Sequence, residues 1–212
     1  MDADLRSGTE SSSRRLRIAA RVRATRVLGP GLRYAFWVQG CPFACPGCIA
    51  PEFLPMSGGS EIETMQLAGD ILQVPGLAGL TLSGGEPFAQ ASGLAHLLEL
   101  VAGGRPDLNV ICYSGFTRTQ LAQRAASDDG VRRLLQGIDV LIDGQYRHEL
   151  NDSRGLRGSA NQVVHFLSDR IPHDRSLFET ASRQLENMDD VDGLALEVGL
   201  PDLAHWRSSL TH

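Results

Sequence analysis

One stretch limits this chain more than any other: Phe36-Trp37-Val38-Gln39-Gly40-Cys41-Pro42-Phe43-Ala44-Cys45-Pro46-Gly47-Cys48. An apolar run ends at Gly40, and three cysteines follow as C-x3-C-x2-C. The two prolines and the glycine between them exclude a regular helix or a sheet ladder. The segment is therefore a tight loop leaving the end of a strand, with three sulfurs turned toward one centre. Thiolates are soft ligands, so zinc and iron–sulfur are the two choices. A structural zinc site needs four ligands, and here the fourth would have to be Cys112 or a distant histidine. A four-iron cluster on three thiolates instead leaves one iron open, where a substrate can bind. Both readings stand at this point.

Composition narrows the setting. A chain of 212 residues suits one domain with tails. The formal charge is −5 and every basic residue is arginine, which gives no global attraction to nucleic acid or to an anionic membrane. Four cysteines are too few for a disulfide scaffold, which favours a reducing compartment. No apolar stretch is long enough to span a bilayer, and arginines break every apolar run from Arg14 to Arg26, so no secretory leader is expected. These features predict a cytoplasmic protein.

Residues 1–13 are polar and read as a disordered tail. Leu16 to Ala24 partly alternates, as a half-exposed strand does. Gly29-Pro30-Gly31 marks a turn. Arg33 to Val38 is nearly all apolar, as in a buried parallel strand. Glu61 to Leu72 carries a helical face. Gly79 to Leu82 reads as a strand, followed by Ser83-Gly84-Gly85-Glu86-Pro87. A helix over Gly93 to Ala102 is expected with Ser92 as its N-cap. Asn109 to Tyr113 is a strand ending in Ser114-Gly115. Thr117 and Gln120 form a capping box for the next helix, with Phe116 stapled to Leu121. Asp129 to Gln136 is helical, and Ile138 to Ile142 is a strand ending in Asp143-Gly144. Val163 to Leu167 is a last core strand. The tail is read as a hairpin of Gln184 to Met188 with Leu194 to Val198, and 201–212 as a short helix or loose end.

Strands alternating with helices give a parallel α/β sheet whose ligands gather at the strands' carboxyl ends. The cysteine loop, Ser83 to Pro87, Tyr113 to Gly115 and Asp143 to Tyr146 all fall at such ends. Gly84 and Gly85 would let a ligand approach the backbone, and Glu86 beside them would accept an ammonium group. Cys112 reads as a buried strand residue. Trp37 and Phe43 read as packing, and His148, His165 and His173 carry no motif.

In order, the chain shows GPG-x-R, QGC-x3-C-PGC, LTLSGGEP, YSGF, DVL-x-DG-x-Y and RGS-x-NQ. From about Gly29 to Leu167 it resembles the radical S-adenosylmethionine superfamily. Within it, the chain is similar to the small activase branch related to the anaerobic ribonucleotide reductase activating protein. The resemblance implies a partial, open parallel β/α barrel over 14–168, with 169–212 as a C-terminal extension. It implies that Cys41, Cys45 and Cys48 hold a [4Fe-4S] cluster whose open iron chelates S-adenosylmethionine. Gly84, Gly85 and Glu86 would bind the ammonium end, and Ser114 would lie near the ribose or carboxylate. Asp143 and Gln145 stand where related activases keep carboxylate- or cation-binding residues. Arg157, Ser159, Asn161 and Gln162 would either touch the ligand or close the last turn.

The implied reaction is reductive cleavage of S-adenosylmethionine to a 5′-deoxyadenosyl radical. That radical would activate a large glycyl radical enzyme, with flavodoxin or ferredoxin as electron donor. Direct action on a small molecule or peptide, and a non-enzymatic metal-binding module, are the alternatives. Two departures bear on the adenine side and on docking: Gly47 stands where many superfamily members have an aromatic residue, and Ala50 where activases often have Asn.

Overall fold

A computed structural model describes residues 15–202. The disordered-tail reading of 1–13 and most of the 201–212 reading lie outside the described residues. Among the described residues nine strands form: β1 (Arg15–Thr25), β2 (Arg33–Val38), β3 (Ser60–Glu63), β4 (Gly79–Gly84), β5 (Asn109–Ser114), β6 (Val140–Asp143), β7 (Val163–Phe166), β8 (Leu185–Asp189) and β9 (Ala195–Gly199). The helices are α1 (Thr64–Leu72), α2 (Ala91–Gly104), α3 (Arg118–Ala125), α4 (Asp129–Gln136) and α5 (Arg175–Glu179).

The main sheet has seven strands in the order β3-β1-β2-β4-β5-β6-β7. Its centre, β2-β4-β5-β6, is parallel. Its flanks are antiparallel: β1 on β2, β3 on β1, and β7 on β6. The architecture is thus mixed α/β with a parallel-rich sheet, and the described strands do not close on themselves.

Period-2 alternation explains why the central strands are apolar throughout. Tyr34, Phe36 and Val38 of β2, with Leu80 and Leu82 of β4 and Val110 and Cys112 of β5, pack into the core that α1, α2 and α4 cover. Ala35 and Trp37 belong to the core on the opposite side, with Val198, Met188 and Leu196 of the hairpin. Ile111 and Ile142 join Leu156, Val164 and Phe178 in a third cluster. The C-terminal third of the chain therefore covers the face of the sheet that the helices leave bare.

Four local expectations change. The helix expected from Glu61 starts at Thr64, because Ser60–Glu63 pairs with β1 as a strand. Ile62 is buried there, while Glu63 and Glu61 reach Arg15 and Arg17 in ion pairs. Ser92 is not the cap of α2. A short 3-10 turn over Pro87–Gln90 runs directly into the helix, and Glu86 accepts from Phe88 N to cap that turn. The strand expected over Gly79 to Leu82 continues through Gly84, and the one expected from Ile138 begins at Val140. The capping box of Thr117 and Gln120 forms as expected, and β8 and β9 pair as an antiparallel hairpin.

Candidate functional site

The three cysteines leave β2 at the carboxyl end of the parallel strands. Gly40 turns the chain at φ 95°, and its N–H donates to Phe53 O at 2.9 Å. Gln39, itself buried, donates from Nε2 to Pro55 O at 2.7 Å, which ties down the segment after the loop. Gln90 then locks Gln39 to β1, donating to Gln39 O at 3.0 Å and to Arg17 O at 2.9 Å.

Cys41, Cys45 and Cys48 are half-buried and line one cavity together with Ser83, Gly84, Gly85, Glu86 and Ser114. Burial pushes the Cys41 thiol up to about 11, and raises Cys45 and Cys48 as well. Desolvated thiols disfavour free thiolates and favour ones neutralised by metal. The backbone N–H groups of Phe43, Tyr146 and Ala50 act against that rise at Cys41, Cys45 and Cys48 in turn. Such contacts tune an iron–sulfur centre. Cys112 is fully buried on the helix-covered side of β5, with its thiol turned to Tyr113 O at 3.4 Å. Among the described residues, no three His, Cys, Asp or Glu side chains close on one point as a single ion requires. Three cysteine thiols around one cavity are the donor type that an iron–sulfur cluster takes.

The backbone itself requires both glycines of the Gly84-Gly85-Glu86 turn. A Cβ on Gly84 would fall 2.4 Å from Val38 N, and one on Gly85 would fall 2.2 Å from Gly40 O. Strand β4 therefore abuts the base of the cysteine loop directly. Gly85 N donates to Val38 O at 2.7 Å, and Glu86 N to Gly40 O at 2.9 Å.

Glu86 has no exposed surface. Its carboxylate accepts from Phe88 N at 2.9 Å, Ser114 Oγ at 3.0 Å and Gly115 N at 2.7 Å. It braces the rim of β4 against that of β5. Burial pushes it up to about 7, against the pull of those hydrogen bonds. Three of the roughly four acceptor positions of a carboxylate are thus taken by these donors.

Asp143 and Gln145 are not among the cavity residues. The Asp143 carboxylate accepts from Arg118 N at the start of α3, and His165 Nε2 lies 3.1 Å away. Gln145 is exposed, with its carbonyl accepting from Asn161 Nδ2 at 2.9 Å. The Arg157 to Gln162 segment closes the last turn. Gln162 Oε1 accepts from Gly158 N at 2.8 Å, and its Nε2 donates to Gly144 O at 2.7 Å. Ser159 Oγ accepts from Arg147 N at 3.1 Å. Gly158 and Gln162 still face the cavity.

Sequence reasoning passed over part of the wall. Trp37 and Phe43, read as packing, both line the cavity, as do Tyr113, Tyr146, Gly199 and Leu200. The first two carried a signal in their position beside the cysteines. The last two lie far along the chain and carried none. Arg183 holds this distant wall in place. It donates to Asn151 Oδ1 and Pro201 O at 2.8 Å each, to Arg157 O at 2.6 Å and to Gly158 O at 3.2 Å.

In class, this is an iron–sulfur protein: residues 27–165 match the family described as 4Fe-4S single cluster domain. The chain is 33% identical over 144 residues to the anaerobic ribonucleoside-triphosphate reductase-activating protein of Haemophilus influenzae, covering 65% of this chain and 89% of that one. The protein of the same name from Escherichia coli strain K12 is 29% identical over 148 residues, 66% of this chain and 92% of its own. A pyruvate formate-lyase-activating enzyme of Clostridium pasteurianum is 34% identical over 77 residues, 34% of this chain and 32% of its own. The chain belongs to the 4Fe-4S single cluster domain family, in its radical S-adenosylmethionine activase branch. Among the described residues, no helix is long and apolar enough to cross a membrane.

Proposed function

We propose that this chain binds S-adenosylmethionine at the open iron of a [4Fe-4S] cluster and activates a glycyl radical enzyme, of which anaerobic ribonucleotide reductase is the leading case. The observation that carries this is the shared cavity of Cys41, Cys45 and Cys48 with the Ser83–Glu86 turn and Ser114, from which Cys112 is excluded. When bound, the reduced cluster supplies the electron that cleaves the sulfonium C–S bond.

The residues of the chain do the rest. Cys41, Cys45 and Cys48 hold the cluster. The remaining acceptor position of Glu86 takes the ligand ammonium, and Ser114 stands beside it. Gly84 and Gly85 keep the Glu86 turn pressed against the cysteine loop, so the two halves of the site move as one. The barrel is of the open, partial kind: its catalytic unit ends near residue 168, and the extension beyond supplies Gly199 and Leu200 to the cavity wall. An open rim suits a macromolecular substrate, whose docked loop excludes water. An external one-electron donor of the flavodoxin or ferredoxin kind completes the cycle.

The test is anaerobic reconstitution with iron and sulfide, reduction, and assay of 5′-deoxyadenosine with and without a candidate partner. Electron paramagnetic resonance in deuterated buffer should then show a glycyl radical on that partner. Fast turnover of a free small metabolite without a protein radical would overturn the activase reading.

A further inference from the structure

The cysteine loop has an outer face as well as a cavity face. From Gly40 to Pro51 the chain holds no acidic or basic residue. Burial alternates within the loop. Cys41, Cys45 and Cys48 are half-buried, while Pro42, Ala44, Pro46 and Gly47 are exposed. The thiols line the cavity, so one layer of small apolar residues separates them from solvent. Met56, 69% exposed, extends this patch, its sulfur 3.1 Å from where a Cβ on Gly40 would stand.

The rim of the patch is basic. Most described arginines are held in ion pairs, among them Arg15, Arg17, Arg23, Arg133, Arg157 and Arg175. Arg118 and Arg147 are exposed and have no ion pair with a described carboxylate. Arg124 lies 4.3 Å from the Phe116 centroid instead of against an acid. All three flank the loop. Phe116 meets Phe43 edge-on, with centroids 4.7 Å apart, and Arg118 opens α3 two residues later. Arg147 stands between Tyr146, whose backbone N–H acts on Cys45, and His148, whose Cβ lies 3.0 Å from where a Cβ on Gly47 would stand. Two exposed carboxylates, Glu52 and Glu149, oppose these three cations. The local balance is positive although the whole chain carries −5.

We propose that this patch is the docking surface of an acidic one-electron carrier protein, an inference that deepens the function proposed above and rests on it. Electron transfer falls off steeply with distance, and the loop sets the thiols one residue behind its outer face. A small apolar centre with a charged rim suits the brief encounter that such a transfer needs. In that encounter the carrier loses one electron and the metal centre on the three cysteines gains it, with no bond made or broken. The arginines steer the carrier, and the prolines with Ala44 let it approach closely.

The probe is flavodoxin, tested on the reconstituted full chain beside photoreduced deazaflavin, a small neutral reductant that needs no docking. Calorimetry gives the dissociation constant of oxidised flavodoxin. Anaerobic stopped flow follows cluster reduction by each reductant. Arg118→Glu combined with Arg147→Glu should weaken flavodoxin binding and slow its electron transfer about tenfold at low salt, an effect that shrinks as salt rises. Iron content and reduction by deazaflavin should match wild type. A glutamate opening α3 suits a helix N-terminus, so the fold is kept. Ala44→Glu, at the centre of the patch, should act in the same direction. Arg26→Glu is the control, because Arg26 is exposed just past Thr25, which pairs with Arg33 at the end of β2 remote from the loop; it should change nothing. Unchanged flavodoxin binding and rate in the double variant would overturn the proposal. Equal slowing with both reductants would mark a disturbed cluster and overturn it as well. Normal reduction with loss of the radical on a candidate glycyl radical enzyme would give the arginines to that partner instead. If wild-type protein cleaves S-adenosylmethionine with deazaflavin, the proposed function stands whatever the arginines do. If it holds no cluster, that function fails, and this surface with it.

Discussion

Gly85→Ala adds one carbon at the joint between the two halves of the site. That carbon would fall 2.2 Å from Gly40 O and 2.6 Å from its carbonyl carbon, about 1 Å short of ordinary contact. Both obstacles are backbone, so no rotamer relieves them. Overpacking of this kind costs about 1–3 kcal/mol. The shift also strains Gly85 N to Val38 O and Glu86 N to Gly40 O, each worth about 1 kcal/mol. A loss of about 3 kcal/mol corresponds to roughly 6–12 °C in melting temperature for a chain of this size. Because Gly40 precedes Cys41, the strain falls first on the cysteine loop, and iron content should drop before the fold does. The matched control is Gly103→Ala. Gly103 lies in α2 with nothing within 4 Å of an added Cβ, so the same substitution should stabilise by about 0.4–1 kcal/mol. Differential scanning fluorimetry and iron assay on both variants decide the matter. Full cluster occupancy in Gly85→Ala, with melting within 2 °C of wild type on the order of assay error, would refute the reasoning.

Glu86 is raised to about 7 when folded, so its protonated form stabilises the native state below the ordinary carboxylate pKa. That contribution is lost as pH rises from about 4.5 to 7, to the order of 3 kcal/mol; anaerobic urea titrations should show a slope in this window that Glu86→Gln flattens. Cys112→Ala should keep its iron and lose about 1 kcal/mol for the small cavity, whereas alanine at Cys41, Cys45 or Cys48 should abolish iron binding. Arg183→Ala should free β8 and β9, seen as faster hydrogen exchange over 185–199, because the carbonyls of Pro201, Arg157 and Gly158 lose their donor; unchanged exchange would remove Arg183 from the wall.

The sequence by itself determined the local features and their polarity. Pro42, Pro46 and Gly47 allow no regular structure between the cysteines, so the thiol loop was legible from covalent geometry alone. The apolar run of β2 required burial on both faces, and Thr117 with Gln120 fixed the start of α3. The apolar run around Cys112 marked it as a buried strand residue, apart from the other three. Tertiary structure decided what periodicity does not encode: which backbone meets which. The glycines at 84 and 85, read as room for a ligand, also accommodate Val38 and Gly40, contacts some 45 residues away in sequence. Glu86, expected to meet a ligand ammonium, is also a brace across two strands. Asp143, singled out by the resemblance alone, accepts from the Arg118 N–H at the start of α3. Glu61 to Glu63 read as the first turn of a helix until Arg15 and Arg17 of β1 lie beside them. The far wall of the cavity comes from Gly199 and Leu200. Their place depends on a hairpin packing against β1 and β2, a long-range contact set by the whole core and by no local pattern.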